Sequence, residues 1–145
     1  MNRRVDRMDR RGAILSMELV LVLPILMLLI FAVAEFSMLT SAQTKVSDAA
    51  RTGARVLSMS GGNSTEIQQL VMEILGPNLA NGCQVDVQPG QFAGDTGLVR
   101  VTVPMRNATP DLLWMTGFSV RGRSIRIEAP MVMEHRLVSE DLNRL

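Results

Sequence analysis

The chain has few of the residues that disulfide, metal or nucleic-acid chemistry requires. Its 145 residues contain one cysteine, Cys83, so no intrachain disulfide can form. Tyrosine is absent and there is a single tryptophan, which argues against a module that stacks nucleic-acid bases. The formal net charge is +1, so the chain as a whole lacks the strongly basic balance that is typical of nucleic-acid-binding proteins. We therefore expect neither a nucleic-acid partner nor a cofactor.

Charged and apolar residues are unevenly distributed. Five arginines lie within the first eleven residues, whereas Glu18 is the only charged residue between Ala13 and Ala34. A helix over residues 13–34 would measure roughly 33 Å, close to the roughly 30 Å hydrocarbon thickness of a bilayer. The arginines precede this run, so the positive-inside rule places the N-terminus in the cytoplasm and residues after 35 outside.

The apolar run has two interpretations, a removable signal peptide or a permanent anchor. Ala32-Val33-Ala34 fits the pattern that signal peptidase cuts. Residues 35–59, however, contain no proline, and small or apolar residues recur there at helical spacing. The members of this stripe are Phe36, Leu39, Ala42 or Gln43, Val46, Ala49 or Ala50, Gly53, and Val56 or Leu57. We therefore predict one helix over residues 13–59, uncleaved after residue 34.

Glu18 is the unusual residue of the apolar run. It can lie at the headgroup level, with the membrane core beginning at Leu19, or it can be buried and await a positively charged partner. Its position near one end of the run does not decide between the two. Pro24 is predicted to kink the helix, because it removes the hydrogen bond to the carbonyl of Val20.

The rest of the chain alternates between helix and strand patterns. A second helix is predicted over residues 65–75, with Ile67, Leu70, Val71 and Ile74 on its apolar face. Asn63 or Ser64 can cap its start, and Gly76-Pro77 is expected to end it.

Alternating apolar and polar residues predict three strands, at 84–88, 98–103 and 124–133. The first two are joined by a loop rich in turn formers, and a short amphipathic helix is predicted over residues 109–118. The sheet needs a cover for one face, and the outer half of the long helix can supply it.

The predicted fold class is α+β and pilin-like: a long N-terminal transmembrane helix packed on a small antiparallel sheet, with one or two short helices. We divide the chain into a basic leader (1–12), a transmembrane and extended amphipathic helix (13–59, with the span at about 13–34) and an extracytoplasmic α+β domain (60–145).

No group of residues predicts catalysis. Asp95-Thr96-Gly97 spells the triplet of aspartic proteases, but a loop rather than an apolar strand leads into it. His135 beside Glu134, with Glu140 and Asp141 nearby, is a weak candidate for a zinc site, because it has one histidine on a charged tail that we expect to be solvated. Cys83 has no neighbouring histidine or second cysteine, so we expect a buried thiol.

Four short motifs together resemble TadE-like proteins, the minor pilins or pseudopilins of the tight-adherence pilus system. They are RRGA at 10–13, MELVLVLP at 17–24, EF at 35–36 and AARTGAR at 49–55. Two details differ from the family pattern. Leu19 stands where phenylalanine is usual, and Glu18 is one residue further from Gly12 than is common. Cleavage after Gly12 and cleavage after Ala13 therefore both remain open.

The resemblance implies processing and assembly. A prepilin peptidase would remove the leader at Gly12 or Ala13, and Glu18 would pair with the new α-amino group of a neighbouring subunit. Leu19, Pro24 and Glu35 are the other implied assembly positions. The implied partners are other pilins, the peptidase, the inner-membrane assembly platform and the lipid bilayer.

The implied location is the bacterial inner membrane, single-pass, with the C-terminal domain periplasmic and the extracellular pilus as a further destination. The implied role is non-enzymatic. The alternative is a signal-peptide-targeted or signal-anchored periplasmic binding domain or enzyme, unrelated to pili.

Overall fold

A computed structural model describes residues 6–60 and 63–134, which form two helices and one three-stranded sheet. The elements in chain order are α1 (Asp6–Ser60), α2 (Ser64–Ala80), β1 (Gln84–Gln88), β2 (Thr96–Pro104) and β3 (Ser124–Val132). This long apolar N-terminal helix, second helix and small antiparallel sheet confirm the predicted α+β class.

Helix α1 continues without a break past Ala34, where a signal peptidase would cut. Its 55 residues include the predicted range 13–59 and begin earlier, at Asp6, and Pro24 lies within it. Of the described helices, this one is long and apolar enough to cross a membrane. Its most apolar stretch has a mean hydropathy of 2.8, and only 6% of that stretch is buried by the protein. A core helix of a soluble domain would be largely buried, so the rest of the described chain does not cover this half of α1.

The outer half of α1 forms the core of the domain. Its buried residues with apolar side chains are Ala42, Val46, Ala49, Ala50, Ala54 and Leu57. The predicted stripe is thus confirmed from residue 42 onward, with Ala42 rather than Gln43 facing inward. Phe36 does not belong to the buried stripe. It is 55% exposed, and its ring contacts the ring of Phe118. Four of the six buried residues are alanines, which allow the sheet and α2 to approach the helix closely.

The sheet has the order β1-β2-β3, and both pairings are antiparallel. Val99, Val101 and Val103 of the central strand are buried against the helices, as the alternating pattern predicts. On the opposite face Arg100 links the outer strands, with its Nε 2.7 Å from Glu128 Oε1 and its Nη1 3.4 Å from Asp86 Oδ2. These exposed ion pairs contribute little stability, but they mark the polar outer face.

Helix α2 begins where the cap predicts and ends later than predicted. The Asn63 side chain accepts a hydrogen bond from the Thr65 amide at 3.3 Å. Gly76 interrupts the helix with φ 74° and ψ 171°, but one further turn follows it to Ala80. The buried face consists of Ile67, Val71, Leu75 and Leu79. Leu70 and Ile74 do not belong to this face, because α2 packs along a single i, i+4 line.

The α-helix predicted over residues 109–118 is wrong, and this segment forms a loop with one short 3₁₀ turn, Trp114–Thr116. Asp111 adopts a left-handed conformation with φ 60°, which an α-helix does not tolerate. The backbone amides of Leu113 and Val120 bond to carboxylates, of Glu35 and Asp111 respectively, rather than to helical carbonyls. Tertiary hydrogen bonds therefore replace those that a helix would have made.

The two helices meet closely at Gly53. A Cβ atom added there would lie 2.9 Å from Cγ2 of Val71 and 3.4 Å from Cγ2 of Ile67. We expect Gly53→Val to lower the free energy of unfolding by about 1–3 kcal/mol, because the extra methyl groups overpack this contact. Urea unfolding of the full chain in detergent, followed by circular dichroism, measures the change.

The matched control is Thr52→Val, which introduces the same side chain at the exposed neighbouring position. It should change the free energy of unfolding by less than about 0.5 kcal/mol. Equal losses in the two variants would show that the α1–α2 contact at Gly53 is not close.

Candidate functional site

The predicted site residues occupy two separate places along α1. Glu18, Leu19 and Pro24 lie on its apolar half, and Glu35 lies where that half meets the domain. Glu18 and Glu35 are about 25 Å apart along the helix axis, at 1.5 Å per residue. The structure therefore does not bring them together within one chain.

Gly12 and Ala13, the predicted processing positions, lie near the start of α1, and only their backbone is described. Both belong to continuous helix. Which bond a peptidase would cut stays a prediction.

The apolar half of α1 presents its side chains outward. Leu19 is 68% exposed and Glu18 is also exposed. Among the residues whose side chains are described, no hydrogen bond or ion pair engages Glu18. The arrangement leaves its carboxyl group available to a partner outside the described chain.

Glu35 is in the opposite situation, fully buried at 0% exposure. Its Oε2 accepts a hydrogen bond from the Leu113 amide at 2.9 Å. Its Oε1 has no hydrogen-bond partner among the described residues. Leaving a buried polar atom unpaired costs on the order of 1–3 kcal/mol, so the surrounding contacts must offset this cost. Glu35 therefore fastens a distant part of the chain to the end of the apolar span.

That distant part is the segment from Thr109 to Val120, which we call the boundary loop. Asp111 closes it: Oδ1 accepts from the Val120 amide and Oδ2 from the Ser119 hydroxyl, both at 3.1 Å. The exposed guanidinium of Arg121 lies 3.3 Å from the same Oδ2. Both ends of the loop are thus held by one buried carboxylate.

An aromatic contact supports the same junction. The rings of Phe36 and Phe118 have centroids 5.8 Å apart at an interplanar angle of 40°. The guanidinium carbon of Arg123 lies 5.2 Å from the Phe118 centroid, within the range of a cation–π contact. The adjacent residues Glu35 and Phe36 therefore both bind the boundary loop, one through its carboxylate and one through its ring.

Sequence reasoning singled out Glu35 but missed Asp111, Leu113 and Phe118. The resemblance implied that Glu35 acts between subunits, whereas the contact seen here is within the chain; a role between subunits stays a prediction. Thr109-Pro110-Asp111 is a sequence of turn formers, and this composition was the available indication of a loop.

Asp95 and Cys83, which were considered as catalytic residues, have structural roles or surroundings that do not favour catalysis. Asp95 Oδ2 accepts hydrogen bonds from the amides of Gln91 and Phe92, at 3.1 and 2.9 Å, and so closes the turn between β1 and β2. Cys83 is half-buried, and this burial raises the pKa of its thiol, which makes it a poor nucleophile.

Within residues 6–60 and 63–134, no group of three or more His, Cys, Asp or Glu side chains is placed to hold a metal ion. His135, Glu140 and Asp141, the other members of the candidate zinc site at the tail, lie outside the described residues.

The architecture defines a class: a long helix whose apolar half is uncovered and whose other half is the core of a small α+β domain. Within that class, residues 14–55 match the sequence model of the family described as TadE-like protein. The resemblance predicted from the sequence is thereby confirmed over this range, which includes Glu18, Pro24 and Glu35. No curated protein and no solved structure matches the chain.

The Glu35 contact gives a direct prediction. Glu35→Ala leaves the Leu113 amide unpaired, at a cost of about 1–3 kcal/mol. Amide hydrogen exchange at Leu113 should therefore become roughly ten- to a hundredfold faster, measured by NMR on the full chain in detergent.

The matched control is Glu35→Gln, which keeps an oxygen acceptor of nearly the same shape. It should retain most of the protection at Leu113. If Glu35→Ala leaves this exchange rate unchanged, Glu35 does not hold the boundary loop.

Proposed function

We propose that this protein is a minor pilin, or pseudopilin, that takes part in assembling a tight-adherence pilus. The match to TadE-like proteins over residues 14–55 carries this proposal. It is supported by α1, in which an uncovered apolar half continues into the core of a folded domain. Such a helix can be stored in a membrane and later packed against the helices of other subunits.

In this proposal α1 crosses the bacterial inner membrane once. The arginine-rich N-terminus lies in the cytoplasm and the domain lies in the periplasm. About 20 apolar residues are needed to span a bilayer. The uncharged residues run from Leu19 to Ala34, with more before Glu18, so the stretch is long enough to cross the membrane. The exposed apolar side chains then face lipid rather than water.

Processing gives Glu18 its partner. A prepilin peptidase cuts after Gly12 or Ala13 and creates an α-amino group at the membrane edge. Glu18 of a neighbouring subunit pairs with this amine, and their attraction in a medium of low dielectric sets the axial offset between packed helices. Glu18 is exposed on α1 and so is accessible to a neighbouring helix. The role is structural and needs no catalytic residue.

The N-terminal residue of the membrane-extracted protein tests the proposal. We expect an intact mass that corresponds to a start at Ala13 or Ile14 when the cognate prepilin peptidase is co-expressed. With a catalytically inactive peptidase, the mass should retain the leader. A start at Glu35 would mean a secreted domain with a removed signal peptide. Retention of the leader under both conditions would leave only a signal anchor.

A second arm of this experiment isolates Glu18. Glu18→Ala should be processed and inserted normally, but it should co-purify with partner pilins at least a hundredfold less. Removing one partner of a buried ion pair costs about 3 kcal/mol or more, which accounts for this loss. Glu66→Ala, at an exposed acidic residue in the first turn of α2, is the control and should assemble normally. Normal assembly of Glu18→Ala would contradict the proposed pair.

A further inference from the structure

The direction of the sheet shows which end of the domain faces the apolar half of α1. The Glu134 amide, just beyond β3, donates to the Ser58 carbonyl near the end of α1 at 3.1 Å. The 9 residues of β3 extend about 30 Å, which equals about twenty residues of helix. Ile127 of β3 lines a cleft with Thr40 and Ser47 of α1, so the strand runs back along the helix. The start of β3 at Ser124 therefore lies level with about residue 38 of α1. The segments that precede β3 form the end of the domain nearest the apolar span.

Within this end of the domain, the boundary loop lies closest to the apolar half of α1. A helical side chain leans toward the helix N-terminus, so the Glu35 carboxylate lies below its own Cα, toward the apolar half. The Leu113 amide bonds to that carboxylate, which fixes the loop at the level where the apolar run ends. The loop is consequently placed at the surface of any bilayer that α1 crosses.

The tip of this loop is apolar and uncovered. Leu113 is buried, but the next two residues, Trp114 and Met115, are 62% and 80% exposed. Phe36 is exposed beside the loop and extends the apolar surface of α1 toward the domain. Exposing most of two large apolar side chains to water is unfavourable, and the indole of tryptophan favours the membrane–water interface.

The surrounding charge fits phospholipid headgroups. Between residues 105 and 123 the charged residues are Arg106, Asp111, Arg121 and Arg123. All three arginines are exposed, whereas the single carboxylate is buried and already paired with Arg121. The end of the domain nearest the span thus presents basic side chains around an apolar tip, a combination that matches lipid phosphates around acyl chains.

We propose that the boundary loop is a second membrane contact, in which Trp114 and Met115 insert into the outer leaflet of the same bilayer that α1 crosses. This inference rests on the membrane span of the proposed function. The contact limits the depth and tilt of α1, because the Glu35–Leu113 hydrogen bond links the inserted tip to the helix. It holds the domain against the membrane surface while the subunit is stored there.

The chain provides its own probe, because Trp114 is its only tryptophan. The full chain is reconstituted at about one copy per vesicle in phosphatidylethanolamine and phosphatidylglycerol, with or without lipid brominated on its acyl chains. We expect Trp114 to lose most of its emission in brominated vesicles and to be protected from aqueous iodide. Emission that iodide quenches and brominated lipid does not would overturn the contact. Protection from both quenchers would also overturn it, since the residue would then be covered by protein.

The matched control moves the probe to the other end of the domain. The double variant Trp114→Phe with Phe92→Trp places the single indole in the exposed turn between β1 and β2. Its emission should be quenched by iodide and unaffected by brominated lipid. Flotation of the vesicles distinguishes failure of the membrane span from failure of the loop contact. A chain that does not float with the vesicles has no membrane span, and then both the proposed function and the loop contact fail. A chain that floats with Trp114 open to iodide keeps its span and loses only the loop contact.

Discussion

One helix has to satisfy two environments, and the rest of the structure depends on this constraint. The most apolar stretch of α1 after Met17 is almost uncovered by the described chain, while the second half supplies the surface on which the sheet and α2 pack. A three-stranded sheet of this size needs such a cover, because a few short strands do not bury enough apolar area alone. The domain is therefore built around the continuation of the apolar helix rather than attached to it by a linker.

At the junction between the two halves of α1, a charged residue type occupies a buried position that the helical pattern would assign to an apolar one. Glu35 is a buried carboxyl at the point where the uncovered apolar half of α1 meets the half that belongs to the core. Its contact with Leu113 joins a residue of the helix to a loop 78 positions later in the chain. Such a long-range bond has no role in holding α1 itself together. Its effect is to fix the boundary loop at one height and one rotation relative to the apolar half of α1.

The regular elements were predictable from the sequence, and the junction was not. The alternation of Val99, Val101 and Val103 and the small-residue stripe of α1 follow local periods, and both are confirmed. The boundary loop was predicted as a helix, because local composition does not show that the Leu113 amide bonds to Glu35 instead of a carbonyl one turn away. The roles that we propose for Gly12, Ala13, Glu18, Leu19 and Pro24 concern other molecules, namely a peptidase and neighbouring subunits. The fold of a single chain does not determine them.

Helix α1 is one uninterrupted helix, and its uncovered apolar half continues directly into the core of the domain. Amide hydrogen exchange, resolved by residue on the full chain in lipid nanodiscs, tests this most directly. The account predicts slow exchange without interruption from Ile25 through Glu35 to Leu57, with no faster segment where the lipid ends. Rapid exchange between Ala34 and Ala42, flanked by protected segments, would show a hinge between span and domain and would contradict the account.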